Sequence, residues 1–153
     1  MSKILLLEPD AILANLYIKA FEHVGHYVRR TVSAQDAVFQ VDELLPDVVV
    51  VELQLVAHSG IEFLYELRSY QEWQHIPVLI HSCIPPTEFA DSMSLLRHTL
   101  GVTQYLYKPH TSLQTLLRAV CDAVTPEHGK PRLEDPILKF LGPAMPIPAS
   151  GVV

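Results

Sequence analysis

Several short apolar segments of the sequence are each followed by a side chain that could carry chemistry. These side chains are Glu8 and Asp10 after the first segment, Glu52 after four consecutive valines, Ser82 and Lys108. In an open α/β sheet, function concentrates at the carboxyl ends of the strands, beside the point where the strand order reverses. If the segments are strands of one parallel sheet, all of these side chains belong to the functional edge.

Charge pairing is the first chemistry that this set predicts. A carboxylate directly after a strand as apolar as 48–51 would be costly to bury without a partner. Lys108 is the only cation expected near the end of another central strand. We therefore predict an ion pair between Glu52 and Lys108, and the residues alone leave open whether it serves function or only balances two charges.

The elements that must position these residues follow from the apolar pattern. Apolar and β-branched runs alternate with stretches of helical periodicity, which predicts βα units around a parallel sheet. Strands are predicted at residues 3–7, 26–32, 47–53, 77–81 and 104–107.

Five helices are predicted between and after these strands. The first helix should end at Gly25 and bury a stripe formed by Ile12, Leu16, Ala20 and Val24. The last helix should bury a stripe formed by Leu113, Leu116, Leu117, Val120 and Val124. The second to fifth helices each have a predicted N-terminal capping residue; in chain order these are Ser33, Ser59, Thr87 and Thr111.

Length and composition indicate one folded domain without a membrane span. The chain has 153 residues, of which 49% are hydrophobic, and no apolar run reaches the roughly 18 residues that a membrane helix needs. The formal net charge is −6 and the basic residues are scattered, so nucleic acid is not expected as a partner. We expect a cytoplasmic protein that does not bind membranes.

Cysteines, histidines and the C-terminal segment give weaker indications. Cys83 and Cys121 lie in apolar segments without CxxC spacing, which favours two reduced core thiols. The eight histidines include His58, His81 and His110 near strand ends, and we interpret them as ordinary histidines rather than metal ligands. Residues 126–153 hold six of the 12 prolines and are predicted to be a Pro-rich tail, flexible or folded back.

Four motifs in order resemble the response-regulator receiver domain of two-component signalling over residues 2–125. They are KILLLEPD near the start, PDVVVVELQLVAHSG with Gly60 eight residues beyond Glu52, IPVLIHS, and GVTQYLYKP with Lys108. The resemblance implies a flavodoxin-like α/β fold over 1–125, a doubly wound five-stranded parallel sheet of order 2-1-3-4-5. It also implies a cis peptide bond between Lys108 and Pro109.

The resemblance further implies a role for each residue of the strand-end set. Glu52 stands at the phospho-acceptor position, Glu8 and Asp10 stand in the acidic pocket that holds Mg²⁺, and Lys108 stands at the phosphate contact. Ser82 and Tyr105 stand at the switch positions, where in the family phosphate draws the hydroxyl inward and the aromatic ring follows.

Two departures from the family pattern change the expected chemistry. Pro9 occupies the position of the principal metal-ligating aspartate and offers no side-chain oxygen, so we expect no cofactor and weak or absent Mg²⁺ binding. Glu52 is one methylene longer than aspartate, and a misplacement of about 1 Å can lower a rate about a hundredfold. We predict that the domain does not run a phosphorylation cycle and that Glu52 partly mimics a phosphoryl group, holding one state of the switch.

These expectations favour a stand-alone, atypical receiver that acts as a phosphorylation-independent protein-interaction module. Its partner would be a kinase, regulator or adaptor that binds the surface of predicted helix four, strand five and helix five; homodimer formation stays open. No Gly-rich phosphate loop or GxSxG motif is present, so we predict no enzyme and no catalytic residue. Two alternatives remain: a small-molecule or metal sensor using the strand-end cleft, and a receiver phosphorylated at a non-standard position.

Overall fold

The structure, a computed structural model, describes residues 1–125 of the chain. The predicted Pro-rich tail at 126–153 lies outside the described residues.

The predicted parallel sheet is confirmed, including its strand order. The strands are β1 (Lys3–Leu7), β2 (Tyr27–Thr31), β3 (Val48–Val51), β4 (Val78–Ser82) and β5 (Val102–Tyr107). Neighbouring strands are all parallel, in the order β2-β1-β3-β4-β5. The four valines of β3 are buried on both faces of the sheet, as expected of a central parallel strand.

Within residues 1–125, four α-helices cover the sheet. They are α1 (Ala11–His23), α2 (Ala34–Leu44), α3 (Gly60–Ser69) and α4 (Leu113–Val124). One hydrophobic cluster joins α1 and α4 to one face, and a second joins α2 and α3 to the other. None of the helices in residues 1–125 is long and apolar enough to cross a membrane.

Most predicted helix ends are confirmed, and one cap is shifted by a residue. The side chains of Ser33 and Ser59 cap α2 and α3, and Gly25 follows the end of α1 with φ +92°. The cap of α4 is Ser112, which accepts a hydrogen bond from the backbone N–H of Thr115, so the predicted cap at Thr111 is wrong.

The predicted buried stripe of α1 is also wrong. Ile12 is 82% exposed and Leu16 is half exposed, whereas Ala14, Tyr17 and Phe21 face the sheet. Both sets recur at helical spacing, so periodicity alone did not distinguish them. The set with the large aromatic side chains fills the space above the sheet.

The fourth predicted helix is replaced by two irregular helical segments. Residues Pro86–Ser92 form a 3₁₀ segment and Leu95–Thr99 a π-helical segment, and Thr87 caps neither. Consecutive prolines at 85 and 86 restrict how a helix can begin here. All peptide bonds of residues 1–125 are trans, so the expected cis bond before Pro109 is wrong.

Cys83 and Cys121 are free but exposed, so their prediction as core thiols is wrong. Cys83 follows the last residue of β4, beyond the covered part of the sheet, and Cys121 lies on a side of α4 that does not pack. An apolar sequence neighbourhood therefore does not bury either thiol.

Gly60 brings the start of α3 close to the end of β3. A Cβ at this position would lie 2.7 Å from the carbonyl oxygen of Glu52 and 2.8 Å from the Cα of Leu53. The backbone N–H of Gly60 donates to the Leu53 carbonyl at 2.9 Å. Only glycine permits this approach, which fixes the loop that carries Glu52.

Candidate functional site

The carboxyl ends of β1, β3, β4 and β5 bring together Glu8, Glu52, Ser82 and Lys108. The Nζ of Lys108 lies 2.5 Å from Oε1 of Glu8 and 2.6 Å from Oε2 of Glu52. All of these side chains are nearly inaccessible, with Lys108 9% exposed and Ser82 fully buried. The structure therefore has the predicted pair between Glu52 and Lys108, and it adds Glu8 to that pair.

Glu52 accepts four hydrogen bonds. Its Oε1 accepts from the hydroxyl of Ser82 and, at 3.0 Å, from the backbone N–H of Gln54. Its Oε2 accepts from Lys108 and, at 3.2 Å, from the backbone N–H of Cys83. Because an ionised carboxylate has about four lone-pair positions, the donors of the site use them all.

The electrostatics of the site favour the charged forms of both partners. Burial alone would raise the pKa of Glu52, but hydrogen bonds from Lys108 and Ser82 outweigh it and lower that pKa. Burial alone would lower the pKa of Lys108, but the bonds to Glu52 and Glu8 outweigh it and raise that pKa. Glu52 and Lys108 are thus both charged at neutral pH.

A chain of hydrogen bonds leads from Glu52 to Tyr105. The Ser82 hydroxyl donates to Glu52 and accepts from the backbone N–H of Ile84 at 3.1 Å. The Tyr105 hydroxyl donates to the Ile84 carbonyl at 2.6 Å, and its ring is fully buried beside Phe89, 6.0 Å away between centroids. Burial and the charge of Glu52 raise the pKa of Tyr105, so its hydroxyl remains a donor.

Asp10 does not join the other site residues. Its side chain is exposed and accepts a hydrogen bond from the backbone N–H of Leu13, which caps α1. Of the two predicted acidic-pocket residues, only Glu8 lies in the strand-end cluster, where its Oε2 also accepts from the backbone N–H of Asp10 at 3.2 Å.

The residues present do not fit the Mg²⁺ ion that the family resemblance implies. Mg²⁺ requires near-octahedral oxygen ligation. Both oxygens of Glu8 already accept hydrogen bonds, Pro9 has no side-chain oxygen, and Asp10 caps a helix. Within residues 1–125, no group of three or more His, Cys, Asp or Glu side chains could hold a metal ion.

The three histidines near strand ends are separate from one another. His81 is buried on the opposite side of β4 from Ser82, with its ring 5.1 Å from that of Tyr17. His58 lies 2.8 Å from Glu62, and His110 packs edge-on against Tyr107. Each side chain has its own local partner.

Sequence reasoning missed Arg30. The Nε of Arg30 donates to the carbonyl of Glu8 and one Nη to the carbonyl of Pro9, both at 3.0 Å. Its place next to the last residue of β2, which neighbours β1, was the available signal, because parallel neighbours end at the same edge of a sheet.

The chain is similar to known proteins both in sequence and in fold. No protein-family model matches the chain. It is similar to the KDP operon transcriptional regulatory protein KdpE of Escherichia coli (strain K12), with 28% identity over 142 residues, 92% of this chain. The chain spans 58% of the length of that relative.

Two solved structures have the same fold. The receiver domain of the Francisella response regulator 1452 is 27% identical with a TM-score of 0.70, covering 81% of this chain and 97% of that one. The chemotaxis protein CheY4 of Vibrio cholerae is 19% identical with a TM-score of 0.71, covering 80% and 98% of the two chains.

Proposed function

Residues 1–125 form a response-regulator receiver domain, and from that premise we propose that the chain acts in two-component signalling as an interaction module that phosphorylation does not switch. The observation that carries this proposal is the complete occupancy of the Glu52 carboxylate by donors. To attack phosphorus, an oxygen of Glu52 must give up hydrogen bonds from buried groups. Such bonds to a charged group contribute about 1.5–3 kcal/mol each.

The state of the switch follows from the same contacts. In the family, phosphate draws the hydroxyl of the fourth strand inward and the aromatic residue of the fifth strand follows. Here the carboxylate of Glu52 already holds the Ser82 hydroxyl, and Tyr105 is fully buried. We infer that the fixed charge of Glu52 holds the domain in the active-like arrangement.

The surface presented in that state is made by residues 86–99, β5 and α4. It adjoins the hydrogen-bond chain, because Phe89 packs against Tyr105 and Ile84 directly precedes the two prolines that open this segment. We propose that a kinase, regulator or adaptor binds this surface, that the chain works in the cytoplasm, and that it has no catalysis of its own.

Mass spectrometry after treatment with acetyl phosphate and Mg²⁺ tests the proposal. We expect no phosphoryl adduct on the wild-type protein. The double variant P9D/E52D restores the acidic metal position and shortens the acceptor, and it should gain an adduct that E52D alone gains weakly. This variant is the positive control for the phosphodonor.

The outcome that contradicts the proposal is ready labelling of the wild-type chain. Peptide mapping would then distinguish an adduct on Glu52 from one at another residue, which would support the receiver phosphorylated at a non-standard position. Labelling of P9D/E52D with an unlabelled wild type leaves the proposal standing.

A further inference from the structure

We propose that two side-chain cations, Lys108 and Arg30, take over at this site the charge-balancing role of a divalent metal ion. These cations can be tested without a phosphodonor and without a partner protein. It goes beyond the function proposed above.

Lys108 bridges the two buried carboxylates. Its Nζ lies 2.5 Å from Glu8 and 2.6 Å from Glu52, while these acids are 2% and 4% exposed. Two carboxylates at this burial repel each other unless a cation lies between them. The amine lies between the two acids, where a bridging cation would otherwise be needed.

Arg30 holds the backbone side of the same loop. Carbonyl oxygens are ligands that hard cations use, and the carbonyls of Glu8 and Pro9 accept instead from the Arg30 guanidinium, both at 3.0 Å. Arginine stays charged at all accessible pH values and its planar fork suits two neighbouring acceptors.

The four side chains form a neutral set. The formal charges of Glu8 and Glu52 are offset by Lys108, which contacts both carboxylates, and by Arg30, which contacts the carbonyls of Glu8 and Pro9 in the same loop. A divalent ion entering the cluster would meet an ammonium group at 2.5–2.6 Å from the carboxylates that it needs. Wild-type protein should therefore be indifferent to Mg²⁺, Mn²⁺ and Ca²⁺.

Removing the bridging amine of Lys108 should make the thermal stability of the domain depend on a divalent metal ion. In Lys108→Ala, Glu8 and Glu52 remain buried together without a cation between them. We expect a lower melting temperature, restored by about 5 °C when Mn²⁺ exceeds its dissociation constant about tenfold. The double variant R30A/K108A, with two more free carbonyls, should bind Mn²⁺ more tightly than K108A.

The experiment compares thermal unfolding with Mg²⁺, Mn²⁺, Ca²⁺ or K⁺ for the wild type, K108A and the matched control K19A. Lys19 is exposed on α1, so K19A should follow the wild type under every condition. Stabilisation of the wild type by a divalent ion overturns the proposal, and so does a K108A variant that no divalent ion stabilises more than K⁺ does.

A second measurement keeps the test decisive if K108A does not fold. Mn²⁺ added to the isotope-labelled wild-type protein should not selectively broaden the backbone NMR signals of Asp10 and Gln54. Selective broadening at those two amides would place a metal ion in the cluster and overturn the proposal, whatever the result of the phosphodonor experiment.

Discussion

The length of one side chain decides the contacts of Glu52. The carboxylate of Glu52 contacts both Ser82 and Lys108, while the backbone N–H groups of Gln54 and Cys83 each donate to one of its oxygens. Because the pKa of Glu52 is lowered in the fold, its charge stabilises the protein above the ordinary pKa of a glutamate. That stabilisation is lost as the pH falls through the lower, folded-state pKa.

His81, the neighbour of Ser82, responds to pH in a different range. Burial, with a smaller effect from Lys108, lowers the pKa of His81 from 6.5 to about 4. As the pH falls below 6.5, the unfolded chain gains this proton while the folded chain does not. Stability therefore falls between pH 6.5 and about 4, by about 3 kcal/mol in all.

Replacing His81 by phenylalanine should remove most of this pH dependence. Phenylalanine can keep the edge-on contact with Tyr17, and it has no proton to gain. Urea denaturation of the wild type and H81F between pH 7 and 4.5 measures the difference. A smaller slope remains in H81F because burial also lowers the pKa of His26.

The matched control for this series is His98→Ala, because His98 is exposed. Its pH profile should follow that of the wild type. Equal slopes for wild type and H81F would mean that His81 takes up its proton in the folded state, contrary to its burial.

Among the elements, helix α3 is connected to the sheet by Arg68, which lies near its C-terminal end. Its guanidinium donates to five backbone carbonyls of the segments before β4 and β5; these belong to Trp73, Gln74, Ile76, Leu100 and Gly101. Burial lowers the pKa of Arg68, and the carbonyls replace the water that its charge loses. One side chain thereby joins the end of a helix to the starts of two strands.

Arg68→Met should destabilise the fold by about 3 kcal/mol or more, because it leaves part-buried carbonyls without donors. Arg68→Lys should recover little of this loss, since lysine lacks the planar fork. The free energy of unfolding in urea measures both effects. Arg118→Met is the control on the exposed side of α4 and should change stability by less than about 0.5 kcal/mol.

The strands could be predicted closely from the sequence, whereas the helix faces could not. Central parallel strands are apolar on both sides, so β1 and β3 stand out as continuous runs without any choice of face. For α1, the sequence offers two apolar stripes, and the one containing Ile12 and Leu16 faces outward. Which stripe packs depends on the sheet below it, and local spacing contains no such information.

The candidate site divides in the same way. Glu52, Ser82 and Lys108 could be placed because Ser82 ends a strand and the other two directly follow one, and parallel strands end at one edge. The capping role of Asp10 and the contact of Arg30 with the loop of Pro9 depend on backbone geometry within that loop. The family resemblance suggested an acidic pocket there, and proline changes what the loop can bind.

Across the whole molecule, one hydrogen-bond chain connects the buried ion cluster with the proposed interaction surface. It passes from Glu52 through the hydroxyl of Ser82 and the backbone of Ile84 to the hydroxyl of Tyr105. The segment that follows Ile84 has short 3₁₀ and π-helical pieces instead of a regular helix. Such a segment depends on its tertiary contacts for order, because its own backbone bonds are few or poorly aligned.

Ser82→Ala should therefore loosen the segment 86–99 while leaving the sheet intact. Without the Ser82 hydroxyl, Glu52 loses a donor and the backbone N–H of Ile84 loses its acceptor. The Ile84 carbonyl, which accepts from the Tyr105 hydroxyl, is then held less firmly. We expect amide hydrogen exchange to become about tenfold faster in 86–99, equivalent to about 1.4 kcal/mol of lost local stability, and to stay unchanged in α1 and α2.

The control is Ser94→Ala, because Ser94 is exposed in the same segment and lies outside the hydrogen-bond chain. S94A should exchange at nearly the wild-type rate, whereas Tyr105→Phe should reproduce part of the S82A effect through the loss of its bond to Ile84. Equal exchange rates in S82A and wild type would mean that the ion cluster does not affect the order of the surface segment 86–99. Glu52 could then stabilise the sheet edge without setting the state that a partner meets.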